Sequence, residues 1–366
     1  MTGPFVMIAH CGFSYSKACV AHLFKPDGAD FMFRYLLAGV TALFTAQLFT
    51  TQAALADKPV LTIYTYESFT SEWGPGPAIE TAFEAQCACD VNFVSLDSSI
   101  GILGRVQLEG AGSPADIVLG LDTNLTDIAE KTGLFQPHGS SKRADNLPVD
   151  YQSDIFMPFD WGYFAFVYDK NRMTTPPASL DALINGDDDL RIVIQDPRTA
   201  TPGLGFLLWM KSVYGDKADD AWQKLNPKIV TVTKGWWDAY SLFLEGEADM
   251  VMSYSTSPAY HQIAEGVDNY AAASFAEGHY MQIEVAAILK NASQPALAKQ
   301  FMDFIQGSEF QGIIPTTKWM YPTQKSATPD GFTGLIQPSN AYLFSGADVA
   351  ENRSDWVNEW LAVSTQ

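Results

Sequence analysis

Val60-Leu-Thr-Ile-Tyr-Thr-Tyr66 runs into Glu67-Ser68, then into Pro75-Gly76-Pro77, a helical stretch from Ala78 to Cys87, and Asp90-Val-Asn-Phe-Val-Ser-Leu96. The two short apolar runs are rich in β-branched and aromatic residues and read as strands, and the stretch between them is of helix length. Strand, helix, strand in this order is a crossover unit, which pairs its strands in parallel. The pattern continues along the chain. Helices are expected at 100–109, 125–131, 205–214, 236–245 and 295–305, and strands at 115–120, 163–168, 191–194, 229–233, 249–254 and 281–289. Alternation of this kind predicts an α/β protein whose parallel sheets are covered on both faces.

The residues just after these strands are unusual. They include Tyr66-Glu67-Ser68, Asp97-Ser98-Ser99, Leu121-Asp122, Asp196 to Thr199, Lys234-Gly235-Trp236-Trp237 and Ser253 to Ser257. Ligands of open α/β sheets bind outside the carboxyl ends of strands. Six such loops, rich in hydroxyls, rings and carboxylates, predict one composite pocket. Aromatic faces beside carboxylates suit a flat organic cation. Hydroxyls and free N–H groups where helices begin, at Asp97-Ser98-Ser99 and Thr199-Ala200-Thr201-Pro202-Gly203, suit an anion, although each hydroxyl also serves as an ordinary helix cap. Trp236 and Trp237 diverge by roughly 100° at the start of a helix, so one is expected to pack inward while the other faces the cleft.

Composition narrows the function classes. The chain has 366 residues, 47% hydrophobic and 17% charged, enough for a large core and too apolar for disorder. Forty-two acidic against 22 basic residues give a net charge of −20, which argues against binding nucleic acid or anionic lipid. No Gly-x-Ser-x-Gly elbow, phosphate loop or His-Glu-x-x-His is present, so catalysis has no support from motifs. Scattered histidines leave no zinc cluster, and no cofactor is expected.

Residues 32–56 join a short basic start to an apolar run from Leu36 to Phe49 and end on Ala54-Leu55-Ala56, the order of a secretory signal peptide cleaved after Ala56. The run is shorter than the ~20 residues of a spanning helix, so the exported chain is not embedded in the membrane. Residues 1–31 stand upstream of a complete signal and are read as an extension from a mis-chosen start, with Met32 the initiator. Cys87 and Cys89 then remain. In an oxidising compartment they either close a small-loop disulfide or stay as thiols.

Several segments carry a specific resemblance: Lys58-Pro-Val-Leu-Thr-Ile-Tyr-Thr-Tyr-Glu-Ser-Phe, Pro158-Phe-Asp-Trp-Gly-Tyr, Gln195-Asp-Pro-Arg-Thr-Ala-Thr-Pro-Gly, Ser253-Tyr-Ser-Thr-Ser-Pro-Ala-Tyr-His and Lys318-Trp-Met-Tyr-Pro. In order and spacing they resemble the periplasmic thiamine-binding proteins of bacterial ABC importers, over essentially the whole chain after Lys58. The resemblance implies a two-lobed class II periplasmic-binding-protein fold, each lobe a mixed or parallel sheet flanked by helices, with two crossover strands as hinge. Residues 57–160 and 280–366 would form one lobe and 161–279 the other, with the crossovers near Phe159–Phe164 and Gly278–Val285. It further implies a periplasmic monomer that captures thiamine or its mono- and diphosphate and delivers it to a permease and its ATPase. Matched by motif, Tyr66 and Trp319 are the expected aromatic walls, and Tyr254, Tyr260 and Trp236 add rings and hydroxyls. Asp97, Ser98, Ser99, Asp122 and Thr201 would complete the pocket, with Ala200 standing where relatives carry serine. The rival readings are another cargo on the same fold, ferric iron above all, and a secreted thiamine-phosphate hydrolase. Iron would call for adjacent tyrosines, whereas Tyr254 and Tyr260 lie apart.

Overall fold

The computed structural model describes residues 58–325 and 328–364. The extension expected at 1–31, the signal peptide expected at 32–56 and its cleavage point lie outside the described residues. Twelve strands occur among those described. They are β1 Val60–Tyr66, β2 Asp90–Leu96, β3 Ile117–Asp122, β4 Phe135–Gln136, β5 Met157–Asp169 and β6 Ile192–Gln195. The others are β7 Ile229–Thr233, β8 Met250–Tyr254, β9 Tyr270–Ala272, β10 His279–Leu289, β11 Tyr321–Pro322 and β12 Ala341–Tyr342.

The main strand order is β2-β1-β3-β10-β5-β8-β6-β7. β1 lies parallel to β2 and β3, and β6 lies parallel to β7 and β8, as crossover helices require. β10 and β5 break the pattern. β10 runs antiparallel to both β3 and β5, and β5 antiparallel to β8. The sheets are therefore mixed, not parallel throughout. These two strands are the longest, and from Met157 to Val167 and along all of β10 every residue is buried. Residues 157–163 of β5 pair with β10 and residues 164–168 pair with β8, so one strand serves two sheet regions in succession. The handover falls between Tyr163 and Phe164.

Helix starts at the strand ends follow from local chemistry. The Ser98 hydroxyl accepts the Gly101 N–H at 3.3 Å and begins helix Ser99–Glu109. Pro202 occupies the first turn of helix Thr201–Tyr214, where its missing N–H costs nothing. That helix starts four residues earlier than its apolar run suggests, because Gly203 lets it pack onto the carbonyls of Gln195 and Asp196, where a Cβ would lie 2.4 Å from the first. It is buried from Thr201 to Lys211. Trp222 packs edge-on against Phe206 at 4.9 Å and is 3% exposed, a packing residue as its helical position suggests. Cys87 and Cys89 close a disulfide around Ala88, which takes the left-handed conformation that ends helix Gly76–Cys87.

Candidate functional site

The loops that follow β1, β2, β6, β7 and β8 converge on a cavity of about 490 Å³, joined by Glu284 of β10 and the segment Thr317–Met320. Tyr66, Asp97, Ser98, Ser99, Ala200, Thr201, Trp236, Tyr254, Tyr260 and Trp319 all line it. Asp122 does not. It ends β3 with 1% exposure, and its carboxylate accepts the Asn124 N–H at 2.8 Å. Burial raises its pKa to about 7 against the pull of that hydrogen bond. The sequence places Asp122 in a loop; the strand runs two residues further and draws it into the interior.

The aromatic walls are held from behind. Trp319 stands at φ 61, a left-handed backbone for a bulky residue, after the helix Ser308–Thr317. Its N–H donates to the Ile314 carbonyl at 3.1 Å, and its ring meets Tyr260 edge-on at 5.3 Å. Trp236 donates from Nε1 to the Ser253 hydroxyl at 2.8 Å and stacks on Tyr240 at 5.1 Å. The Tyr240 hydroxyl meets Nε2 of buried His261, whose Nδ1 faces Glu265 at 2.6 Å. Trp237 is half exposed and also lines the cavity, so neither tryptophan of the pair packs wholly inward. The reason is Trp73, whose ring lies 5.5 Å from Trp237 and 6.5 Å from Trp236 and gathers both at the mouth.

Contacts also join the loops of β1 and β2 to those of β6 and β7. The Thr201 hydroxyl donates to Ser99 Oγ at 3.0 Å. Lys234 Nζ lies 2.7 Å from Asp97 Oδ2, an exposed pair that salt screens. With the Trp73 contacts, these bonds span the mouth of the cavity.

The floor holds what sequence reading misses. Glu284 is 3% exposed, and its carboxylate accepts the Tyr66 hydroxyl at 2.6 Å, Gln282 Nε2 at 2.7 Å and Lys318 Nζ at 3.3 Å. Lys318 Nζ also lies 3.9 Å from Asp160 and 5.4 Å from the centre of the Tyr66 ring. Burial works against the ammonium, but Glu284 and Asp160 outweigh it and hold its pKa above the ordinary lysine value. Burial and the nearby Glu284 push the Tyr66 hydroxyl well above the usual tyrosine range, so it stays a donor. A signal for both residues exists in the sequence. Glu284 is the lone charge within the apolar run Met281–Leu289, and Lys318 directly precedes Trp319. A carboxylate inside a strand that buries both faces needs partners, and hence marks a site.

A mixed sheet in which β5 serves two regions in succession, with an aromatic cleft at the strand ends, is the architecture of a two-lobed solute-binding protein. Residues 70–312 match the family described as bacterial extracellular solute-binding protein. This chain belongs to that family. It is 54% identical over 303 residues to the thiamine-binding periplasmic protein of Escherichia coli (strain K12), covering 83% of this chain and 93% of that one. A solved structure titled periplasmic thiamin binding protein superposes with a TM-score of 0.83 at 53% identity, covering 84% of this chain and 97% of the other. Iron-bound HitA from Pseudomonas aeruginosa aligns at TM-score 0.70 and 20% identity over 83% of this chain and 99% of that one, a likeness of fold alone.

Proposed function

We infer that this protein captures thiamine in the periplasm and hands it to an ABC importer. The observation that carries this reading is the cleft, lined by Tyr66, Trp236, Tyr254, Tyr260 and Trp319 together with a buried carboxylate, Glu284. Thiamine is a flat, permanently cationic two-ring molecule, and ring faces beside a negative charge replace the water its thiazolium loses. The relatives at 54% and 53% identity carry the same ligand in their names.

In this reading Tyr66 and Trp319 flank the thiazolium. The hydroxyethyl arm or its phosphate ester points to the starts of helices Ser99–Glu109 and Thr201–Tyr214, where Ser98, Ser99 and Thr201 stand beside free backbone N–H groups. Ala200 removes one hydroxyl from that corner. The lobes are 57–160 with 280–366, and 161–279, joined through β5 and β10. The protein works as a monomer with a permease and its ATPase, and catalyses no reaction on its ligand. Its signal peptide is residues 32–56, so N-terminal sequencing of exported protein should begin at Asp57; a start upstream of Met32 would overturn that boundary.

Capture rests on closure, because residues from both sides line the cavity and the ligand favours the closed state by its differential affinity. Thiamine should therefore quench tryptophan emission, from Trp236 and Trp319, and reduce the radius of gyration in solution scattering. A titration that saturates by calorimetry yet leaves both signals unchanged would reject the closure step. Mass spectrometry of the ligand released from freshly purified, denatured protein tests the cargo itself: thiamine or its phosphate supports the assignment, and a bound ferric ion overturns it.

A further inference from the structure

The floor of the cavity continues into the sheet as a row of acids. Across β5, β10 and β3, Asp160 is opposite Glu284 and Glu284 is opposite Asp122 in the register. Directly opposed residues project to one face, so three carboxylates stand side by side in a row that is 3% exposed or less. The register shifts between Glu284 and Val285 against β5, and again between Val285 and Ala286 against β3. These irregularities fix the row at the point where β5 and β10 support the cleft. Two cations serve three acids. Lys318 meets Glu284 and Asp160, and Arg353 faces Asp122 from the helix Gly346–Ser364. Tyr66 of β1 and Tyr254 of β8, the other titratable groups facing Asp160, are held neutral by burial, and Tyr66 donates to Glu284.

Within this row the acids are held differently. Glu284 accepts three hydrogen bonds and Asp122 accepts the Asn124 N–H. Among the described residues neither oxygen of Asp160 accepts a hydrogen bond, and the one counter-charge beside it is Lys318, 3.9 Å away and shared with Glu284. Asp160 is 0% exposed and lies behind the cavity wall. Arg353 answers Asp122, so Lys318 alone stands against Glu284 and Asp160, and with both of these ionised one positive charge is lacking. That charge can come from a proton or from a cation held against Tyr66 and Trp319.

We propose that Asp160 is the residue that makes this site select a cation, by exchanging a proton for the positive charge of the ligand. This rests on the thiamine reading above. The Asp160 carboxylic acid loses its proton to solvent as the ligand enters, and the resulting carboxylate pairs with Lys318, which leaves Glu284 to face the ligand. Asp160 acts through Lys318 and Glu284 and is a positioning residue that need not touch the ligand. Burial, followed by the charge of Glu284, holds its carboxyl well above the usual range, with Lys318 pulling the other way. A cation in place of the proton reverses that balance. The sign follows: a site that expels a proton on binding gains affinity as pH rises, by up to about one power of ten per pH unit while Asp160 is protonated.

The test uses isothermal calorimetry of the exported chain between pH 5 and 8, in buffers of different ionisation enthalpy, which count released protons. The probes are thiamine and its neutral analogue with a thiophene in place of the thiazolium; both keep the aminopyrimidine, so titration of that ring cancels. The parent should release a fraction of a proton, approaching one at low pH, with thiamine alone, and thiamine affinity should climb with pH while that of the analogue stays level. Asp160→Asn should remove the larger part of the release and of the slope, leaving only what Asp122 contributes, and bind thiamine about tenfold more weakly at pH 8. Asp122→Asn leaves Lys318 still shared between Glu284 and Asp160 and should retain most of both, losing only what the titration of Asp122 itself, near pH 7, contributes. Equal proton release with the two ligands, or release lost in Asp122→Asn and kept in Asp160→Asn, overturns the proposal. Should Asp160→Asn fail to fold, the comparison of the two ligands on the parent still decides. A parent that binds neither ligand overturns the thiamine reading instead.

Discussion

Trp319→Ala should weaken thiamine binding by about 10- to 100-fold, at 1.4 kcal/mol per tenfold, while leaving the protein folded. An aromatic face over a cation contributes roughly 0.5–2 kcal/mol, and the substitution also opens the wall that Tyr260 supports edge-on. Trp319→Phe keeps a face and should lose less. The backbone offers a sharper control. At φ 61 a bulky residue is strained by about 1–3 kcal/mol, which glycine relieves. Trp319→Gly should therefore bind as poorly as the alanine variant yet melt no lower, whereas Trp222→Ala, deep in the core, should lower the melting temperature and spare affinity. Calorimetric titration and thermal unfolding of the four variants separate these effects. Parent-like affinity in Trp319→Ala would remove the residue from the cage.

The second large effect is expected at Gly120, which touches no ligand in the proposed pocket. Its φ is +110, and a Cβ there would lie 2.3 Å from Cε1 of Tyr66. Gly120→Ala must either shift the backbone or push the ring, and the ring cannot move without pulling its hydroxyl from Glu284, 2.6 Å away. Conformational strain alone costs about 1–3 kcal/mol. The variant should melt several degrees lower and bind thiamine at least about tenfold more weakly. The effect runs through one ring, so it should largely vanish in a Tyr66→Ala background, a non-additivity that a double-mutant cycle measures. Full additivity would show that Gly120 acts elsewhere.

Much of this molecule is legible in its residues taken in order. The strand at Val60–Tyr66, the capped helix after Ser98 and the helix at Pro295–Ile305 are local consequences of period, caps and breakers, and they fall where the pattern puts them. The loops that carry Tyr66, Asp97-Ser98-Ser99, Thr201 and Tyr254 meet because carboxyl ends of parallel strands point one way, a rule of topology that needs no side-chain detail. Resemblance adds Trp319, which no periodicity singles out.

What lies beyond a linear reading is pairing. The linear pattern begins this strand at Tyr163, because Pro158, Asp160 and Gly162 interrupt the apolar run of residues 157–162. In the fold they belong to β5, where antiparallel pairing with β10 sets Asp160 against Glu284. Asp122 reads as a loop residue and becomes the third member of a buried row for the same reason. Trp73 and Trp237, 164 positions apart, meet only across the mouth of the cavity. Local sequence determined the elements and the chemistry of their ends, because caps, turns and side-chain period act within a few residues. Only the tertiary structure decided which charges share a face, because the energy of a buried carboxylate depends on neighbours brought from more than a hundred residues away.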